Sequence, residues 1–290
     1  MDLPLYLIAR VLVTFLQALP LTVVARLGRI GGGLVYYLDG RHRRVALQNL
    51  AMCFGAEKSP AQIRSLAREN FRRIGENFAC AVKTAAMSFA ELRPHVEFVG
   101  DSKILSPSRS QKPPGVVVAI GHFGNFELYA RFGQYCPAYQ CATTYRGLRQ
   151  PSLNRLLQTL RSRSGCLFFE RRTEGAALRS LMNQPGIILG LLTDQRAGKL
   201  RIPFLGRDGL TSVAPAVFAL RYRYGLHTAI CYRVGLGRWR MEAGPEIPTH
   251  KQGVARSIEE IMRDVNHAFE IAVRRDPANW FWVHNRWKKR

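Results

Sequence analysis

From Gly115 onward, short apolar runs alternate with stretches of helical spacing, and no other feature of the chain limits its fold so strongly. That texture is the mark of an α/β domain, in which helices cover a central sheet. The runs predict strands at Val116–Ile120, Gln140–Thr144, Cys166–Phe169, Ile187–Leu192 and Thr228–Val234, with Arg238–Ala243 following as a hairpin partner. Helices are expected at Glu127–Tyr135, Ser152–Arg163, Thr173–Asn183, Val213–Tyr224 and about Ser257 to Arg274. A length of 290 residues suits one large domain. Earlier, Ile63, Leu66, Ala67, Phe71, Ile74 and Phe78 recur at spacings of three and four, so Pro60 to about Ser88 is read as a helix whose apolar face packs on the later sheet.

The first forty residues have a different character. Leu3 to Leu38 is the most apolar part of the chain, yet Arg10, Arg26 and Arg29 interrupt it. The 15 uncharged residues between Arg10 and Arg26 contain Pro20 and fall short of the ~20 that a simple spanning helix needs. Two helices meeting near Pro20 and lying in the bilayer surface fit this pattern; two core helices of a soluble protein are the competing reading. Arg41, His42, Arg43 and Arg44 follow directly, where lipid phosphates on the cytoplasmic side would meet them. Residues 1–40 are therefore expected to be a membrane-attachment segment and 41–290 the catalytic domain.

With 43 Lys plus Arg against 20 Asp plus Glu, the net charge is +23 and the partner should be anionic. Nucleic acid is disfavoured because the basic residues are spread along the chain and no nucleic-acid-binding pattern occurs. Cysteines 53, 80, 136, 141, 166 and 231 include no C-x-x-C pair and read as small buried hydrophobes. With Asp2 in place of a basic leader and no cleavage site after the first apolar stretch, a reducing compartment and a cytoplasm-facing domain are expected. No ligand-spaced His and Cys point to a metal, no G-x-S-x-G elbow to a serine hydrolase, and no glycine-rich phosphate loop to nucleotide chemistry. No cofactor is expected.

Ile120-Gly121-His122-Phe123-Gly124-Asn125-Phe126-Glu127 ends one predicted strand and opens a helix, where open α/β sheets place their sites. Five residues apart, His122 and Glu127 would lie about 140° apart on a regular helix, so they can meet only if His122 sits in the preceding turn. Gly121 and Gly124 give that turn its backbone freedom, and amides at the helix start would receive developing negative charge. Glu127 would then accept a hydrogen bond from one ring nitrogen of His122 and leave the other free as a general base for a hydroxyl attacking a thioester. A histidine that merely caps a helix is the plain alternative.

Gly-His-Phe-Gly-Asn-Phe-Glu at 121–127 closely resembles the H-x4-(D/E) block of the bacterial lipid A late acyltransferases, the lauroyl and myristoyl transferases of the glycerolipid acyltransferase superfamily. Tyr145-Arg146 with Pro151, Asn154 and Arg161-Ser162-Arg163-Ser164-Gly165 resembles the family's second block. Thr193-Asp194-Gln195 with Pro203-Phe204-Leu205-Gly206 resembles its third. Arg43-Arg44-Val45-Ala46, Asn49-Leu50 and the closing segment from Trp280 to Trp287 extend the resemblance along nearly the whole chain. It implies a mixed central sheet flanked by helices and an inner-membrane enzyme working at the cytoplasmic face. It also implies acyl carrier protein or coenzyme A thioesters as donors, a lipid acceptor such as a lipid A precursor, no metal, and His122 with Glu127 as the catalytic pair.

Gly124, Asn125, Arg146, Arg161, Arg163 and Asp194 fall in the same blocks and are the candidate substrate-binding residues. Chemistry offers Arg146 two roles: binding a phosphate or polarising the thioester carbonyl, or pairing with Asp194 to hold two loops. Arg161, Arg163, Arg171 and Arg172 bracket one strand and suit an acidic carrier protein, although each also fits a solvated face. Phe126 in place of Trp, Gly147-Leu148-Arg149-Gln150 before Pro151, and His284-Asn285-Arg286 depart from the family pattern. The last two leave another glycolipid or aminolipid open as acceptor. Hydrolysis by the same pair, with water as acceptor, is the competing activity.

Overall fold

Val116-Val117-Val118-Ala119-Ile120 is buried along its whole length, as a β-branched run at the centre of a sheet must be. The structure, a computed structural model, describes residues 2–105 and 112–288. Its N-terminal helices are α1 (Asp2–Ala18), α2 (Leu21–Leu38), α3 (Gly40–Phe54) and α4 (Pro60–Ala86). Short α5 (Phe89–Leu92), strand β1 (Val96–Gly100) and short α6 (Ser102–Leu105) lead into β2 (Val116–Ile120). Then come α7 (Phe132–Tyr135), β3 (Gln140–Tyr145), α8 (Pro151–Arg161), β4 (Leu167–Glu170), α9 (Gly175–Leu181) and β5 (Ile187–Leu192). The chain continues through β6 (Leu200–Phe204), β7 (Arg207–Thr211), α10 (Ala214–Tyr222), β8 (Gly225–Gly235) and β9 (Arg238–Ala243). A two-residue pair, β10 (His250–Lys251) and β11 (Val254–Ala255), precedes α11 (Ile258–Arg275).

Seven strands form one mixed sheet in the order β1-β9-β8-β2-β5-β3-β4, with β8 and β9 antiparallel and every other pairing parallel. The α/β expectation holds. All six predicted strands are present; β1, the β6–β7 hairpin and the short β10–β11 pair are additional. Val117, Ala119, Leu189 and Leu191 point to the face covered by α10 and α11, where Ile261, Val265, Phe269 and Ala272 lie on the buried side of α11. The opposite face of β2 and β5, with Val118, Ile120 and Ile188, is covered by Ile104, Phe132, Cys136 and Tyr139 from short segments, with Phe98 and Tyr129 packed beside them. That lighter cover leaves room for a slot.

Helix α4 corrects an expectation. Ile63, Ala67 and Phe71 are buried, but Phe78 is exposed and meets Phe281 edge-on. Its main partner is α2 rather than the sheet. Gly28 and Gly32 of α2 lie directly on Gly75: a Cβ on Gly75 would fall 2.2 Å from the Gly28 carbonyl oxygen and 2.7 Å from the Gly32 nitrogen. Fully buried Glu76 then accepts from Arg29 at 3.3 Å, Arg233 at 2.8 Å and the Gly237 amide at 3.2 Å, linking α2 to the β8–β9 hairpin.

Gly75→Val is therefore expected to cost about 1–3 kcal/mol by forcing the helices apart. Gly31→Ala, where a Cβ meets nothing within 4 Å, should instead stabilise by about 0.5–1 kcal/mol through helix propensity. Thermal unfolding of the two variants checks the signs. A Gly75→Val protein as stable as the parent would show that α2 does not dock in this way.

No helix among the described residues is long and apolar enough to cross a membrane. Helices α1 and α2 do meet at Pro20. Leu3, Leu5, Leu7, Ile8, Val11, Leu12 and Phe15 are exposed on α1, while among its described side chains Leu16 alone is buried in the core. Helix α2 has two faces: Leu21, Val24, Ala25 and Tyr36 inside, Leu27, Ile30, Leu34 and Leu38 outside.

Candidate active site

Strands β2 and β5 are parallel neighbours with Ile120 opposite Leu192. Two residues past each of these ends come His122 and Asp194, so the register alone brings them level. The Thr193 amide donates to the Ile120 carbonyl and carries the pairing one step beyond the strands. His122 Nδ1 then lies 2.6 Å from Asp194 Oδ1, and the His122 backbone N–H donates to Asp194 Oδ2 at 2.8 Å. A third donor, Trp280 Nε1–H, reaches the same Oδ2 at 2.7 Å.

Asp194 is buried, and burial alone would raise its pKa. The charge of His122 and these hydrogen bonds outweigh that cost and hold the carboxyl below the usual carboxylate range. An ionised Asp194 can only accept, so Nδ1 is the protonated nitrogen of this bond, and in the neutral imidazole Nε2 keeps the lone pair. The imidazole is packed by Phe126, with ring centres 4.9 Å apart, and by Phe281 at 6.0 Å.

The expected hydrogen bond between His122 and Glu127 is not what the structure has. Glu127 is held in a two-point ion pair by Arg161, at 2.6 Å and 3.1 Å. The predicted helix Glu127–Tyr135 is also corrected: Phe126–Arg131 is a 3-10 segment before the one-turn α7. Its tighter winding and the left-handed Gly124 (φ 52°) carry Glu127 toward α8 instead of back over the imidazole. Two amides of the turn before this segment are engaged within the fold, Phe123 N–H with the Gly121 carbonyl and Gly124 N–H with the Asn279 carbonyl. Glu127 still lines a small cavity that His122, Phe78 and Phe281 also line.

Glu127, with Arg161, also lines a second, larger slot on the lightly covered face of the sheet. Ile120, Tyr129, Phe168, Ile188 and Leu192 give it apolar walls. Gly190 keeps one wall flat; a Cβ there would come 2.7 Å from Ile120 Cδ1. Arg161 is fixed over the Phe168 ring at 5.0 Å, so the ion pair sits between a cavity beside His122 and an apolar slot.

The profile of the bacterial lipid A biosynthesis acyltransferases matches residues 3–289. The chain belongs to this family. No curated protein matches it.

The other candidates of this acyltransferase divide by location. Gly124 is needed for the turn, since a Cβ would lie 2.5 Å from the Cys231 carbonyl oxygen. Asn125 is buried with its side-chain amide 3.5 Å from Thr84 Oγ1, so it faces α4 while lining the cavity beside His122. Arg146 lies exposed just past β3; the carboxylate offered as its partner, Asp194, is bonded to His122 and Trp280 instead. Arg163 is exposed and donates to the Ala86 carbonyl at 3.4 Å. Among the described residues no three His, Cys, Asp or Glu side chains converge as a metal set.

The closing segment is the component that the motifs did not assign. Asn49 donates to the carbonyls of Trp282 and His284, and Asn70 to those of Ala278 and Trp280. Buried Arg286 donates to the Gln195 and Leu210 carbonyls and to Thr211 Oγ1. Burial pulls its pKa down to about 10, which leaves it charged at neutral pH. Residues from α3, α4 and the tail thus fix Trp280 against Asp194.

Proposed function

We propose that this acyltransferase moves a fatty acyl group from a thioester of acyl carrier protein or coenzyme A to a hydroxyl of a membrane lipid such as a lipid A precursor. The carrying observation is a histidine whose Nδ1 is bound to a buried carboxylate, set beside an apolar slot. Nε2 takes the hydroxyl proton as the oxygen attacks the thioester carbonyl. The new C–O bond forms and the C–S bond breaks. The proton then passes from Nε2 to the leaving thiolate, so the imidazole ends as it began.

In this reading Asp194 sets the tautomer and supports the transient imidazolium. Glu127 remains a catalytic residue, acting on the acceptor: paired with Arg161, it accepts a hydrogen bond from a second donor group of the acceptor, while the attacking hydroxyl gives its single proton to Nε2. The apolar slot holds the acyl chain, and Arg146 is free to meet a donor or acceptor phosphate. Helices α1 and α2 lie in the cytoplasmic leaflet of the inner membrane with their outer leucines buried in lipid. Arg41 and Arg44 then approach the phosphate plane.

Purified protein given an acyl thioester and vesicles carrying a lipid A precursor should yield a precursor heavier by one acyl group, read by mass spectrometry. Free fatty acid as the only product would make the chain a hydrolase and end the proposal. Gly190→Val narrows the slot against a flexible Ile120 terminus. From a mixed pool of saturated thioesters it should transfer shorter chains than the parent; an unchanged chain profile would place the acyl chain elsewhere.

A further inference from the structure

Successive residues of β3, β4 and β5 face opposite sides of the sheet. Phe168, Gly190 and Leu192 look into the acyl slot, whereas Phe169 and Leu191 look into a groove of about 310 Å³ on the other face, under α9 and α10. Leu178, Leu191 and Phe218 form its floor, and Arg171, Arg179 and Arg221 stand on its rim. All three arginines are exposed, and each comes from a different piece of chain: the end of β4, α9 and α10.

Among the described residues no carboxylate forms an ion pair with any of the three. Two acids do line the groove, but both are engaged with the backbone beside it. Glu170 accepts from the amides of Arg172 and Thr173 and from the Gly147 amide, and Glu174 accepts from the Glu170 amide. An apolar floor under exposed cations is complementary to an amphipathic acidic surface, which seats its aliphatic side chains inside and its carboxylates on the rim.

We propose that this groove docks the acidic helical face of an acyl carrier protein, so that the donor reaches the enzyme from the side of the sheet opposite its acyl slot. Thr144 lines both spaces. The Arg171 amide donates to the Tyr145 carbonyl at 3.0 Å, tying the groove's edge to a strand end that lines the slot. A pantetheine arm from a carrier seated here has only the ends of β3 and β4 to cross. The groove is also free of the N-terminal helices: α1 and α2 pack chiefly on α4, while α9 and α10 pack on the sheet and α11. A water-borne partner can dock while the apolar helices stay in a bilayer.

The proposal rests on the thioester-dependent transfer above, and its test separates the two. The full-length protein and a variant carrying Arg171→Glu, Arg179→Glu and Arg221→Glu are compared with three donors: acyl carrier protein thioester, acyl coenzyme A, and a short acyl thioester of N-acetylcysteamine. Charge reversal is expected to lower kcat/KM for the carrier-borne donor at least tenfold and to leave the short thioester unchanged. Rising salt should weaken the carrier reaction of the parent and not that of the variant. Labelled carrier protein in a direct titration should lose affinity for the variant by a similar factor, whether or not transfer occurs. Equal loss with all donors, an unchanged carrier reaction, or loss confined to coenzyme A would each overturn the assignment. A parent that binds the carrier at this groove but cleaves no thioester would refute the transfer reaction alone.

Discussion

Asp194→Asn is expected to lower turnover by about 10²–10⁴-fold, the same order as His122→Ala, because in the proposed mechanism each removes the general base. The substitution keeps volume and shape but reverses one hydrogen bond. An amide at 194 can turn its NH2 toward His122 Nδ1, which moves the imidazole proton to Nε2 and leaves no lone pair for the hydroxyl. The same amide has a single oxygen for the two other donors, the His122 backbone N–H and Trp280 Nε1–H, that share Oδ2 of the native carboxylate. Trp280→Phe, which removes only one of the donors, should fall between Asp194→Asn and the parent.

Glu127→Ala is also expected to slow transfer strongly, but through the acceptor. The proton of His122 Nδ1, in a 2.6 Å contact with a carboxylate, should give a downfield NMR resonance. That signal should persist in Glu127→Ala and vanish in Asp194→Asn. Asp194→Asn retaining more than about a tenth of parental turnover would exclude Asp194 from setting the base.

The depressed pKa of Asp194 fixes the sign of its pH dependence. Its contribution to stability is fully present above the ordinary aspartate value of about 3.9 and is lost as pH falls through the lower folded value. Mild acid therefore leaves the His122–Asp194 bond in place.

The sheet was largely legible because it is written in local patterns. Val116–Ile120 is an uninterrupted apolar run and Ile187–Leu192 is broken only by Gly190, so both strands fall where local pattern places them. Strand β1 escaped because Glu97 and Gly100 break its apolar pattern at the sheet's edge, where only one neighbour is needed. His122 was legible from its place at a strand end. Its carboxylate partner lies beyond the reach of local spacing, which offers Glu127 five residues away.

The deciding distance was between chain segments 72 residues apart. One local sign was nevertheless available: Thr193-Asp194 follows the apolar run of β5 just as Gly121-His122 follows that of β2. In neighbouring parallel strands such positions fall side by side. Nothing comparable announces Trp280. Its place depends on Asn49 and Asn70 binding a backbone more than 200 residues later, and on no periodicity in either segment.

Removing residues 1–18 should abolish stable vesicle binding while sparing the fold and the cleavage of a soluble acyl thioester. The cut follows from how differently the first two helices are used. Leu3, Leu7, Ile8, Val11, Leu12 and Phe15 of α1 are all more than half exposed, and among its described side chains only Leu16 joins the core. At roughly 25 cal/mol per Å² of apolar surface, a row of large side chains this exposed gains far more from lipid than from water. Helix α2 is bound by the Gly28, Gly32 and Gly75 contact and by the Arg29–Glu76 ion pair. A cut at residue 38 would expose that interface and unfold α4, which carries Asn70 and with it Trp280. The shorter deletion keeps both. It should therefore lose transfer to vesicle-borne acceptor at least tenfold and keep most of its activity on a soluble thioester. Sedimentation with vesicles and the two assays, run side by side, decide the matter. A truncated protein that still pellets with vesicles as fully as the parent would show that α2 and Arg41–Arg44 suffice, and that the outer face of α1 has some other partner.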